Sequence, residues 1–263
     1  IVCENNFHGR TIAIISFSVD PDARINYGPY APGFKIIPYG DAEALEAAIT
    51  PNTVGFLVEP IQGEAGIICP PDGYLKQVRE ICTKHNVLFM ADEVQTGFAR
   101  TGDIFAVQHE GVVPDIYILG KALGGGIMPV SAIVANRDIL GVYTPGTHGS
   151  TFGGNPLACA VSCKAMEIMQ RDNYAQMAKE KGAYFMAKLK EIDNPEIVEI
   201  RGRGLLIGVE FDHPAAEYVK KLIANGVLAK ETHENTIRFA PPIIIPYDQL
   251  DDAIEKIKIA FAK

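Results

Sequence analysis

The 263 residues carry a net charge of −8, with 48% hydrophobic and 21% charged residues, the proportions of a globular chain long enough to bury a substantial core. An acidic balance without a clustered basic stripe disfavours nucleic acid and anionic membranes as partners, and no apolar run reaches the length of a membrane span. The five cysteines, Cys3, Cys69, Cys82, Cys159 and Cys163, are odd in number and scattered without zinc-ligand spacing, which favours a reducing, cytoplasmic setting and no metal site.

The chain opens on "IVCENNFHGRT", a strand-like start that runs straight into a polar loop with no capped helix before it. The expectation is that an N-terminal portion of a longer protein lies outside this chain. Short apolar runs then alternate with amphipathic ones, the pattern of an α/β fold with a mostly parallel sheet flanked by helices. Strands are predicted at Val54–Val58, Val87–Ala91, Ile116–Leu119 and Ser131–Ala135, and helices at Ala42–Ile49 and Tyr74–His85. Leu75, Val78, Ile81 and Cys82 fall on one face of the second helix, which should lie against the sheet. From Asn155 a long helical stretch follows, broken near Asp172 and Asn173, in which Cys159 and Cys163, at i, i+4, read as small buried side chains. Strand-like "EIVEI" and "LLIGVEF", a helix at Ala215–Ala224, strands near Val227–Ala229 and Ile237–Phe239, and a helix at Gln249–Phe261 complete the chain. The expected division is a large domain over 1–157 and a smaller C-terminal α/β domain over 158–263.

Two strands, "VGFLVEP" and "VLFMADE", end in acidic residues, and the carboxyl ends of parallel strands are where such sheets place their chemistry. "DIYILGKALGGG" sets Lys121 between an apolar run and a glycine cluster. A P-loop lysine is excluded, because Ala122 stands where that motif needs a hydroxyl. Two readings remain: a solvated loop lysine, or an amine desolvated enough to be neutral and nucleophilic toward a carbonyl. "GRGLLIG" does not have dinucleotide-binding spacing and reads as a turn between strands. Asp92 ends a strongly apolar strand, where a carboxylate needs a cationic or donor partner. A protonated pyridine nitrogen is one such partner, and a capping role at the following turn is another.

"LVEPIQGEAG", "LFMADEVQTGFARTG", "ILGKALGGGIMPVSA" and "HGSTFGGNPLA", in that order, resemble consecutive signatures of the class III pyridoxal-phosphate aminotransferases. "NNFHGRT", "GPYAPGF" and "THENTIRFAPP" resemble the ornithine-using branch of that family. The resemblance spans essentially the whole chain and implies a transferase of fold type I, homodimeric, with pyridoxal 5'-phosphate as cofactor and ornithine and 2-oxoglutarate as substrates. It implies that Lys121 is joined covalently to the cofactor and moves the proton, and that Asp92 pairs with the ring nitrogen. Gln95 would bond the phenolic oxygen, Phe7 and Val94 would cover the two ring faces, and Ser150 and Thr151 would reach the phosphate of the partner subunit's cofactor. Arg10 and Arg238 would receive substrate carboxylates, with Glu64 pairing Arg238 while ornithine is bound.

Without the resemblance, Phe7 reads as a core aromatic, Ser150 and Thr151 as turn residues, and Arg10, Glu64 and Arg238 as surface ion pairs. His8 departs from relatives that carry an indole there, and the family's glycine-rich phosphate loop lies upstream of Ile1. The rival donors are N-acetylornithine and 4-aminobutyrate. Readings from other classes are a cofactor-free Schiff-base aldolase, which has no use for Asp92, and a non-catalytic scaffold.

Overall fold

Alternation of apolar runs and amphipathic helices builds a six-stranded sheet in the order β2-β1-β3-β4-β5-β6; the computed structural model describes residues 1–262. The strands are β1 (Val2–Cys3), β2 (Ile36–Ile37), β3 (Gly55–Val58), β4 (Leu88–Asp92), β5 (Ile116–Leu119) and β6 (Ala132–Ala135). Pairing is parallel from β2 through β5, and β6 closes the edge antiparallel to β5. Sheet and helices occur as the expected mostly parallel α/β class.

Three short helices, α1 (Ile12–Ile15), α2 (Pro21–Arg24) and α5 (Arg137–Leu140), lie in connections, whereas α3 (Ala42–Ala48) and α4 (Tyr74–Lys84) cover the sheet. α4 buries Tyr74, Leu75, Val78 and Cys82 against Phe56, Val58, Phe89 and Ala91. At ~1.5–3 kcal/mol for each large apolar side chain buried, this face anchors the central strands.

A break with Asn173 in the left-handed region (φ 52) separates α6 (Pro156–Arg171) from α7 (Tyr174–Lys190). Cys159 and Cys163 are exposed, contrary to expectation. α6 is apolar on more than one side, and the face that packs is the one bearing Ala158, Ser162 and Met169. The cysteines stand on another face.

A second, antiparallel sheet has the order β7-β8-β10-β9, formed by β7 (Ile197–Arg203), β8 (Leu206–Phe211), β9 (Lys230–Thr232) and β10 (Thr236–Phe239). The "GRGLLIG" segment is its hairpin, with Arg203 paired to Leu206 around Gly204 and Leu205. α8 (Ala216–Ala224) and α9 (Tyr247–Phe261) cover the sheet, with Phe211, Tyr218, Ile254 and Phe261 in the core between them. The strand expected at Val227–Ala229 begins only at Lys230. The Val227 N–H returns 2.9 Å to the carbonyl of Leu222, so Val227 belongs to the end of α8. No helix among the described residues is long and apolar enough to cross a membrane.

The two sheets meet where main chains approach closely. Arg100, in the turn after β4, donates to the carbonyls of Leu205 (3.2 Å) and Pro241 (2.6 Å), and the Leu205 N–H donates to the Arg100 carbonyl (3.0 Å). Gly182 of α7 lies against Gly204, where an added Cβ would stand 2.1 Å from the Gly204 carbonyl oxygen. Gly182→Ala should therefore lower stability by ~1–3 kcal/mol through overpacking, despite alanine's better helix propensity. Denaturant unfolding reads this directly, and an unchanged or raised midpoint would show that the contact yields.

Candidate active site

Register decides which side chains meet. Val58 pairs with Ala91 and Asp92 with Ile118, so Glu59, Asp92 and Lys121 leave three adjacent strands at their carboxyl ends. Lys121 begins a short 3-10 helix, Lys121–Gly124, after Gly120. Its φ of +43° is left-handed, a conformation that costs a lysine ~1–3 kcal/mol and is held by its surroundings. A Cβ at Gly120 would stand 3.4 Å from a methyl of Val94, so the main chain passes closely over that side chain. Lys121 is not withdrawn from water as a nucleophilic amine would suggest; its surface is exposed. Protein atoms crowd one side of the amine all the same, and this desolvation lowers its pKa, against the opposing fields of Glu64, Asp92 and Glu59.

Asp92 is 6% exposed. One carboxylate oxygen lies 2.6 Å from His8 Nδ1 and the other accepts from the Val94 N–H at 3.0 Å. The second bond is the turn cap that the sequence left open for this residue. The first supplies the donor partner that a buried carboxylate needs. His8, with 2% of its side chain exposed, has no hydrogen-bond partner at Nε2 among the described residues, and its ring meets Phe17 edge-on. Glu59 sits beside this pair and accepts from the N–H groups of Phe7 (3.0 Å) and Gly63 (3.2 Å). Burial pushes its carboxyl up to about 7; the His8 field and the N–H of Phe7 act in the opposite sense.

Beyond the sheet ends, Glu64 gathers four polar groups. Its Oε1 accepts from Arg238 Nη1 (2.6 Å) and Gln95 Nε2 (3.0 Å), and its Oε2 accepts from Lys230 Nζ (2.8 Å). The Thr232 hydroxyl donates to its main-chain carbonyl. Gln95 also accepts from Arg238 Nη1 at 3.1 Å, so its carboxamide serves this cluster. Gly63 makes room for it, since a Cβ there would lie 2.4 Å from Gln95 Oε1. Burial raises the Glu64 carboxyl, but the hydrogen bonds from Lys230 and Arg238 outweigh that and hold it at about 2. The carboxylate is ionised at any ordinary pH.

Phe7, Arg10, Glu64 and Lys230 line one cavity of about 610 Å³, and the Arg10 guanidinium lies 5.8 Å from the centre of the Phe7 ring. The fold thus brings together Phe7, Arg10, Glu64, Asp92, Val94, Gln95, Lys121 and Arg238. Ser150 and Thr151 stand apart on an exposed loop between α5 and α6. Ser150 Oγ accepts from the Gly153 N–H (3.1 Å), and no hydrogen bond or ion pair among the described residues ties either one to Lys121 or Asp92. Three polar residues of the cluster were not foreseen in their positions. Glu59 carried a signal as the acidic end of a strand, His8 was marked only as a departure, and Lys230 had no motif around it.

The sequence matches the class-III aminotransferase family over residues 1–261. It is 60% identical over 258 residues to ornithine aminotransferase of Brevibacillus brevis, an alignment covering 98% of this chain and 65% of that protein. The solved structure of ornithine aminotransferase from Toxoplasma gondii, reported with partial occupancy of PLP at its active site, superposes with a TM-score of 0.97 at 46% identity, covering 99% of this chain and 63% of that one. Acetylornithine aminotransferase from Elizabethkingia anophelis superposes with a TM-score of 0.87 at 49% identity, covering 99% and 66%. This chain spans about 65% of the length of the curated relatives it matches.

The raised carboxyl of Glu59 has a pH signature. Its protonated form is favoured by the fold, so the stability it contributes is complete below the ordinary glutamate value of 4.5 and is lost as pH rises through about 7. Thermal unfolding of the wild type and Glu59→Gln across this interval should show the wild type losing stability relative to the variant as pH rises. A difference constant with pH would place Glu59 in the ionised form throughout.

Proposed function

The chain belongs to the class-III aminotransferases, and from that premise we propose that it carries the catalytic face of a pyridoxal-phosphate-dependent ornithine δ-aminotransferase. The reaction is the transfer of ornithine's δ-amino group to 2-oxoglutarate, yielding glutamate and glutamate 5-semialdehyde, which cyclises to pyrroline-5-carboxylate. The observation that carries the reading is the convergence of Lys121 and the buried carboxylate of Asp92 at the ends of adjacent parallel strands, beside a cavity lined by Arg10 and Glu64.

The donor set fits the cofactor. Asp92 keeps lone pairs free after accepting from His8 and Val94, so it can also accept from a protonated ring nitrogen. Phe7 and Val94 are the apolar groups assigned to the two ring faces, and Gln95 the donor to the phenolic oxygen once it leaves the Glu64 cluster. When bound, pyridoxal phosphate supplies an aldehyde carbon that takes the substrate nitrogen and a cationic ring that draws electrons from the substrate carbon.

The protein's own work is positioning and proton transfer. Asp92, fixed by two donors, keeps a proton on its partner nitrogen. Lys121, with its pKa lowered by desolvation, has a larger neutral fraction than a solvated lysine, and its Nζ takes the proton from the substrate's δ-carbon. Arg10 receives ornithine's α-carboxylate through the planar fork suited to that group. Arg238, neutralised by Glu64 at 2.6 Å, does not compete for that carboxylate, so the distal amine points toward Lys121. When Arg238 separates from Glu64, it receives the α-carboxylate of 2-oxoglutarate. Ser150 and Thr151 are assigned to the phosphate held in the partner subunit of a homodimer.

A second donor, N-acetylornithine, is favoured by the 49% identity to the Elizabethkingia acetylornithine enzyme. Turnover with added pyridoxal phosphate, comparing ornithine, N-acetylornithine and 4-aminobutyrate, separates these readings, and ornithine should give the highest kcat/KM. Lys121→Ala should lower turnover by at least ~10²-fold, the scale of a lost acid–base group. Full activity in that variant, or a strong preference for another donor, would refute the assignment.

A further inference from the structure

Two cations share Glu64, and the reaction assigned above uses only one of them. Lys230 and Arg238 are register partners on the antiparallel strands β9 and β10. Like charges directly opposite each other across a ladder destabilise it, and here both side chains reach the same carboxylate, Lys230 at Oε2 (2.8 Å) and Arg238 at Oε1 (2.6 Å). Glu64 therefore holds two charges together that otherwise repel. Their surroundings differ. The Arg238 side chain is 19% exposed and that of Lys230 59%, so the lysine contact is solvent-screened and modest, while the arginine faces inward beside Gln95.

We propose that Lys230 is a specificity-determining positioning residue: it keeps Glu64 paired when Arg238 turns to the carboxylate of a dicarboxylic substrate. The inference rests on the transamination reading above and concerns the acceptor half of that reaction. Separating Arg238 from Glu64 in the presence of Lys230 exchanges one ion pair for another and relieves the repulsion between the two strands. Without Lys230, the same movement leaves a half-buried carboxylate with only the surrounding water once Gln95 has turned to the cofactor, and the ladder no longer pushes Arg238 away. Both effects hold the Arg238–Glu64 pair closed. Removing Lys230 should disfavour dicarboxylates more than ornithine, whose binding needs the pair closed.

Glutarate, a five-carbon dicarboxylate without a reactive keto group, is the probe, titrated calorimetrically into the chain with and without pyridoxal phosphate. Lys230→Met should weaken glutarate about fivefold, the scale of a screened ion pair, and Lys230→Arg should restore it to within about twofold. The deciding comparison is a cycle with Glu64→Gln. In that background Arg238 is already released, so adding Lys230→Met should change glutarate affinity by less than about twofold. In turnover, Lys230→Met should lower kcat/KM for 2-oxoglutarate about fivefold more than that for ornithine.

Unchanged glutarate affinity in Lys230→Met overturns the proposal, as does a wild type that binds no glutarate. A loss of equal size in the Glu64→Gln background also overturns it, because Lys230 would then contact the ligand itself. Absence of ornithine turnover by the wild type refutes the transamination reading instead, and the glutarate cycle still decides the role of Lys230.

Discussion

In-register parallel pairing of β3, β4 and β5 is the constraint on which the candidate site depends. Parallel strands in one sheet all end on the same side, and the pairings Val58 with Ala91 and Asp92 with Ile118 make their ends level. Glu59 and Asp92, far apart in sequence, leave their strands at the same level, and Lys121 follows three residues past Ile118, the partner of Asp92. A slip of one residue in β4 would turn Asp92 to the opposite face. The apolar packing of Phe56, Phe89 and Ala91 against α4 resists such a slip, so core packing and site geometry are one requirement.

Charge is handled differently at two depths. Near the sheet, Asp92 is satisfied by His8 and a main-chain N–H, and Glu59 by two main-chain N–H groups. These partners are rigid and suit groups that must stay in place. Farther out, Glu64 is satisfied by side chains, Arg238, Lys230 and Gln95, which have rotamers to spare. A fixed inner layer beneath an outer layer of side-chain pairs is the arrangement that the proposed transamination calls for, one reacting centre serving substrates of unlike charge.

Much of this was legible in the residues, for physical reasons. The four strands predicted up to Ala135 have four or five residues and are bounded by turn formers, and they occur within one residue of their expected ends. Lys121, Asp92 and Arg238 sat in long, recognisable motifs. Other features depended on tertiary context. The two-residue strand β2 is too short to show a period. The β9 start was misplaced because the end of α8 reaches forward to Val227. Cys159 and Cys163 lie on an apolar helix face, and apolarity alone does not say which of two such faces is covered. Lys230 had no motif to mark it, and only the β9–β10 register beside Arg238 brings it to Glu64.

The seam between Gly182, Gly204 and Arg100 has a further consequence. β7 and β8 turn at Gly204, and β10, which carries Arg238, is paired to β8. The gap from Arg238 to Asp92 is thus gauged where backbone abuts backbone. Backbone has no alternative rotamer with which to absorb added bulk, so the seam makes the span across the cleft a fixed ruler, and the groups mounted on the small sheet cannot be retuned one by one from it.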